Sequence, residues 1–264
     1  MSGRIDMSKH WIKDDTEIAA LRESCQRLAR VVTELLSTAA VGVSTGTLGE
    51  LAETLIQQAG GEPIFKGYGK AWGAPPFPAA VCLSINEEVV HGIPRVDRVL
   101  ADGDLLKIDI GMRYRGMVSD MARMKVIGAA SPEATRIKTV TEAALSAGVA
   151  TLHDGSTSDA YAKAVEDIVK AAGYACVRDL VGHGVGRELH EDPQIPNYLD
   201  SGLPSFHFAA GMTVALEPMV NVGTYRVGLA DDGWTFCTRD GKLSAHTEDT
   251  VLITRDGYEL LTQV

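Results

Sequence analysis

The chain repeats itself, and the repeat limits what it can fold into. "VGVSTGTLGELAETLIQQAGG" at 41–61 and "DGSTSDAYAKAVEDIVKAAGY" at 154–174 share a glycine, a Ser/Thr cluster, one helix of similar length and a glycine stop. Each follows another helical stretch. In the first half, Ile18, Leu21, Cys25, Leu28, Val32 and Leu35 recur at three- and four-residue steps over 15–38, with Asp15 or Thr16 as the expected cap. In the second, Ser131-Pro132-Glu133 gives cap, proline and first-turn acid in the preferred order for a helix running to about Leu152. Strands then repeat as well. "GDLLKID" ends on Asp109 and "GMTVALE" on Glu217, each acid six residues past its glycine. Later strands, "SDMARMKVI" and "TEDTVLI", carry Asp120 and Glu248 near their starts. The expectation is one domain over 1–264 built from two pseudo-symmetric α/β halves, about 15–128 and 129–264.

A pseudo-twofold axis would bring the four acids together. The local case is "LLKIDIGMRYRGMVSDMARMKVI", 105–127, which reads as a β-hairpin with its turn near Arg113 to Gly116. With Tyr114-Arg115 as the loop, Asp109 and Asp120 pair directly. With Arg115-Gly116, Asp120 faces Gly111 and stays on the face of Asp109. A three-residue loop would separate them. At about 5 Å and an effective dielectric of about 20, two buried carboxylates repel by roughly 3 kcal/mol before desolvation. Alone, the pair also fits an exposed edge hairpin. Four acids meeting in one place call for a cation between them.

Histidines supply the other donor type. "LVGHGVGRELHEDP" holds His183 and His190, and the glycines around His183 let the backbone approach closely and bare the imidazole. It is neither H-E-x-x-H nor a G-x-G-x-x-G nucleotide loop. "AAVCLSINEEVVHGIP" reads as strand, turn at Asn86-Glu87 and short strand ending at His91. The segment 67–78, "GYGKAWGAPPFP", reads as loop, and a second helix is expected at about 45–59 behind Ser44 or Thr45.

Composition excludes several classes. A net charge of −10 argues against a nucleic-acid protein. No run of about 18 apolar residues is present, so no membrane span is expected. The first residues, "MSGRIDMSKHWIKDDTE", lack the apolar core of a signal peptide. Cys25, Cys82, Cys176 and Cys237 are far apart and suit a reducing cytoplasm rather than a disulfide scaffold.

Asp109, Asp120, His183, Glu217 and Glu248 together resemble the ligand set of the type I methionine aminopeptidase family, the pita-bread metallopeptidases. The surrounding words are similar too: "SINEEVVHGIP", "DGDLLKIDIG", "GHGVGRELHEDPQIPNY", "GMTVALEPMVNVG" and "DGWTFCTRDGKLSAHTEDTVLIT". The resemblance covers nearly the whole chain. It implies a duplicated fold around a central antiparallel sheet and two divalent cations, Co²⁺, Mn²⁺, Fe²⁺ or Zn²⁺. It implies that Asp120 and Glu248 bridge the ions, that Asp109 chelates one, and that His183 and Glu217 complete the other. His190 and His91 would bind substrate and serve catalysis, with Glu217 as proton shuttle. The implied substrate is the N-terminal methionine of nascent polypeptides with a small second residue. A transient contact with the ribosome, a monomer, a short bacterial-type form and a cytoplasmic setting are the further expectations.

Departures fall around the specificity pocket, where the resemblance places Cys82, Phe77, Trp234 and Leu189. Leu189 stands where an aromatic residue is common, and Ala74 and Pro75 where a tyrosine-bearing loop is usual. His246 replaces a glutamine and Asp249 a histidine. Two rivals share the resemblance: an Xaa-Pro aminopeptidase or prolidase, and a non-catalytic binding module on the same fold.

Overall fold

Residues along the strand Leu105–Tyr114 alternate in destination. Leu106, Ile108, Ile110 and Met112 enter a core with Leu28, Val32, Leu35, Leu48 and Ile56 of the first two helices. Lys107, Asp109 and Gly111 therefore turn to the opposite face. In the computed structural model, residues 11–69, 75–200 and 202–263 are described. The first ten residues, read above for a leader, and Ala74 lie outside them. The second half uses the same device. Val214, Leu216, Val251 and Ile253 pack against Ile137, Leu145, Tyr161 and Val165 of the later helices.

The four helices are Asp15–Thr38, Thr45–Gln58, Pro132–Val149 and Ser158–Ala171. Ser44, Ser131 and Thr157 cap the last three through their hydroxyls. The first is capped one residue earlier than the sequence suggests. The Asp14 carboxylate accepts from the Thr16 and Glu17 amides while the Glu17 carboxylate accepts from the Asp14 amide, a reciprocal box that Asp15 cannot form. The third helix stops at Val149 rather than about Leu152, because the Thr151 and Leu152 amides reach back only three residues, to Gly148 and Val149.

Leu105–Tyr114 pairs with Cys82–Ile85 and Glu62–Pro63 on one edge and with Met117–Val126 on the other, all antiparallel. Its hairpin loop is Arg115-Gly116, with φ of 52° and 82°, so Tyr114 pairs with Met117 and Asp120 faces Gly111. A second antiparallel sheet orders Tyr258–Leu260, Asp249–Ile253, Thr213–Leu216, Gly182–Gly184 and Glu191–Ile195. One bridge, Ala122 to Glu248, joins the two sheets. Among the described residues no helix is long and apolar enough to cross a membrane.

Candidate metal centre and pocket

Strand register assembles the site. Cys82 pairs with Asp109, Asp109 with Ala122 and Ala122 with Glu248, one continuous row across both halves. Side chains in such a row share a face, and Asp120 lies on it, two residues before Ala122. Across the second sheet His183 pairs with Ala215, and Glu217 follows two residues later on that face. Leu216 pairs with Asp249, so one step further sets Glu217 beside Glu248.

All five line one pocket, which also takes in Phe77, Cys82, His91, Leu189, His190 and Trp234. Asp120, His183 and Glu248 present ligand atoms that lie within 4.8 Å of one another. His183 Nε2 stands 3.9 Å from Asp120 Oδ2 and 3.4 Å from Glu217 Oε1. His183 Nδ1 donates to the Gly184 carbonyl at 2.9 Å, which leaves the Nε2 lone pair free to face the acids. The flanking glycines are required here: a Cβ on Gly182 or Gly184 would strike the carbonyl oxygen of Ala215 or of Asp192.

The electrostatics ask for a cation. Asp120 Oδ1 and Glu248 Oε1 are buried without a hydrogen-bond partner. Desolvation raises the pKa of Asp109, Asp120, Glu217 and Glu248, and mutual repulsion adds to the rise at Asp109, Asp120 and Glu248. His183 is pushed down to about 3 by burial, with His190 adding to the fall, so its imidazole is neutral and able to ligate. Four carboxylates, two of them with orphaned oxygens, and one neutral imidazole fit a divalent cation.

Hydrogen bonds fix the backbones that carry these donors. Thr250 Oγ1 donates to the Asp120 carbonyl at 2.7 Å. The Asn197 amide donates to the Glu217 carbonyl at 3.2 Å, and Asn197 is in turn held by the Tyr161 hydroxyl at 2.7 Å.

The pocket's other wall is apolar. The Phe77 ring meets Trp234 edge-on at 5.3 Å, and Trp234 Nε1 donates to the Pro75 carbonyl at 3.0 Å. His91, in the left-handed region at φ 60°, sits between Trp234 and Phe236. At the mouth the Tyr68 hydroxyl hydrogen-bonds His190 Nδ1. Sequence reasoning passed over Tyr68, because nothing in a glycine-rich loop marks which residue folds inward.

Two departures resolve differently. Asp249 does not line the pocket: its carboxylate takes Arg123 at 2.6 Å and the Thr262 hydroxyl at 2.7 Å. His246, 1% exposed, brings Nε2 to 3.4 Å from Glu217 Oε2, so Glu217 stands between two imidazoles.

Residues 19–255 match the sequence profile of metallopeptidase family M24. A methionine aminopeptidase of Clostridium acetobutylicum is 42% identical over 95% of this chain and 98% of its own length. The crystal structure of methionine aminopeptidase from Thermotoga maritima superposes with a TM-score of 0.90 at 36% identity, covering 96% of this chain and 99% of that one. A prolidase from Pyrococcus furiosus shares the fold at a TM-score of 0.76 and 23% identity, with 66% of its length covered. Similarity of sequence and of structure thus runs nearly end to end with one group of enzymes, and the chain belongs to metallopeptidase family M24, among its methionine aminopeptidases.

Proposed function

We propose that this chain hydrolyses the first peptide bond of polypeptides, releasing an N-terminal methionine that precedes a small residue. The observation that carries the reading is the convergence of Asp109, Asp120, His183, Glu217 and Glu248 beside an apolar pocket of Phe77, Cys82, Leu189 and Trp234. We assign the five as ligands of two divalent cations, drawn from Co²⁺, Mn²⁺, Fe²⁺ and Zn²⁺. Asp109, Asp120, Glu217 and Glu248 would hold them through carboxylate oxygens and His183 through its imidazole Nε2. Bound there, the cations supply Lewis acidity and lower the pKa of water from 15.7 towards roughly 7.

The protein's own groups do the rest. The pocket takes the thioether side chain and so aligns the scissile bond with the centre. Glu217, whose burial raises its proton affinity, accepts the proton from the attacking water and delivers it to the leaving amine. His190 donates to the oxyanion that develops on the scissile carbonyl, and His91 hydrogen-bonds the peptide beyond it. We place the protein in the cytoplasm as a monomer of one catalytic domain, meeting nascent chains in transient contact with the ribosome.

The deciding experiment compares Met-Ala and Xaa-Pro peptides before and after treatment with a chelator. Release of methionine that stops on chelation and returns with Mn²⁺ or Co²⁺ is expected. Activity indifferent to the chelator would exclude the mechanism. Faster cleavage of Xaa-Pro would keep the centre and replace the substrate. No hydrolysis by metal-loaded protein would favour a binding module.

A further inference from the structure

Lys107 is a buried amine that this mechanism does not use. It is 1% exposed and sits two residues before Asp109, on the face of the strand that carries Asp109. It does not line the pocket, so it cannot touch substrate. Its Nζ donates to the Asn86 carbonyl at 2.9 Å and to the Ser244 carbonyl at 3.0 Å. The Ser244 amide also donates to the Asn86 carbonyl, at 3.0 Å. Asn86 is itself pinned at φ 56°, its side chain bonded to the Leu105 amide at 2.9 Å and to Asp104 at 2.8 Å.

Each segment that meets at Nζ leads to the centre. Asn86 is in the turn before the strand that ends beside His91. Lys107 shares its strand with Asp109. Ser244 opens the strand Ser244–His246, which runs on to Glu248. We propose that Lys107 is a positioning residue for the metal centre, its Nζ fixing the segments that carry His91, Asp109 and Glu248 relative to one another. The assignment rests on reading the centre as a metal site. Both bonds need only two N–H groups, so they hold whether the amine is neutral or charged. Burying an amine is costly, and an apolar side chain of similar length would fill the space without that cost. What the amine adds is orientation across the two halves.

Metal-stripped wild-type protein, Lys107→Met and Lys107→Gln are titrated with Mn²⁺ by calorimetry, with circular dichroism as the check on folding. Outer-shell groups typically change metal affinity by about 10–100-fold, so Lys107→Met should bind Mn²⁺ at least about tenfold more weakly. Lys107→Gln, which keeps an N–H donor, should fall between. With saturating Mn²⁺, kcat should drop while KM for a Met-Ala peptide stays within about twofold, since the pocket is untouched. Equal Mn²⁺ affinity in folded Lys107→Met and wild type would overturn the assignment and leave the metal centre standing. Failure of both variants to fold would make Lys107 a folding residue and overturn it too. No Mn²⁺ binding by the wild type would overturn the centre itself, and the assignment with it.

Discussion

Ala122 and Glu248 exchange both backbone hydrogen bonds, at 3.3 and 3.0 Å, and that exchange is the bridge between the two sheets. Ala122 is also the cross-strand partner of Asp109. One small residue therefore holds carboxylates of the first and second halves in a single row. Its methyl group lies on the same face of the row as those carboxylates. Ala122→Val should crowd that face, and overpacking of this kind typically costs about 1–3 kcal/mol. The expected outcome is weaker Mn²⁺ binding in a calorimetric titration, with a modest loss of thermal stability. Wild-type affinity in a folded Ala122→Val protein would show that the row has room to spare.

The acids are arranged against their own stability. Desolvation is the main cause of the raised pKa at Asp109, and the Glu217 charge adds to it. Neutralising one member should then relieve the metal-free protein while disabling the loaded one. Asp109→Asn should abolish turnover, leave the far-ultraviolet spectrum unchanged and raise the melting temperature of the metal-free form by a few degrees, the shift expected for about 1 kcal/mol. A melting temperature lowered by the substitution would mean that the carboxylate stabilises the fold without a cation.

Much of this arrangement was legible in the sequence, for a definable reason. Alternation with period two placed Asp109 off the core face, and the turn signal near Arg113 to Gly116 left only a few registers for Asp120. The glycine-to-acid spacing exposed the duplication, because each half solves the same packing problem. The Ala122–Glu248 bridge was not legible, since it joins residues far apart in sequence through backbone groups common to every residue. His246 was singled out only as a departure. Its approach to Glu217 depends on the pairing of Met219 with His246, which brings the two strands together. Lys107 left a signal that went unread: by the alternation that flags Asp109, a lysine two residues earlier must also face inward.

Metal binding at these acids should displace protons. Asp109, Asp120, Glu217 and Glu248 all have pKa values raised on folding. For such groups the folded, metal-free protein holds more protons than the unfolded chain. Their contribution to stability is full below the ordinary carboxylate range near 4 and is lost as pH rises through the raised folded values. Metal-free protein should therefore lose melting temperature on going from pH 5 towards 8, while the gain on adding Mn²⁺ grows over the same interval. Calorimetry at pH 6.5 in two buffers of different ionisation enthalpy should report protons released on binding. A binding enthalpy independent of buffer would place the carboxylates in their ionised form before the metal arrives.

Leu189 is 3% exposed and belongs to the apolar cluster formed by Phe65, Phe77, Cys82 and Val118. It contributes branched aliphatic surface to a pocket that the edge-on pair of Phe77 and Trp234 also lines. Truncating its isobutyl group to a methyl removes three carbons, enlarges the pocket and takes away contacts with a bound side chain. A single methylene in such a pocket is worth about 1–3 kcal/mol, or roughly 10–200-fold in kcat/KM. Leu189→Ala should therefore depress kcat/KM for Met-Ala peptides by at least about tenfold, mostly through KM, because the acid and histidine cluster is untouched. The same variant should lose less with a peptide whose first residue is bulkier than methionine. Steady-state kinetics on the two peptides separates the cases, and equal losses on both would move the methionine side chain to a different wall of the pocket.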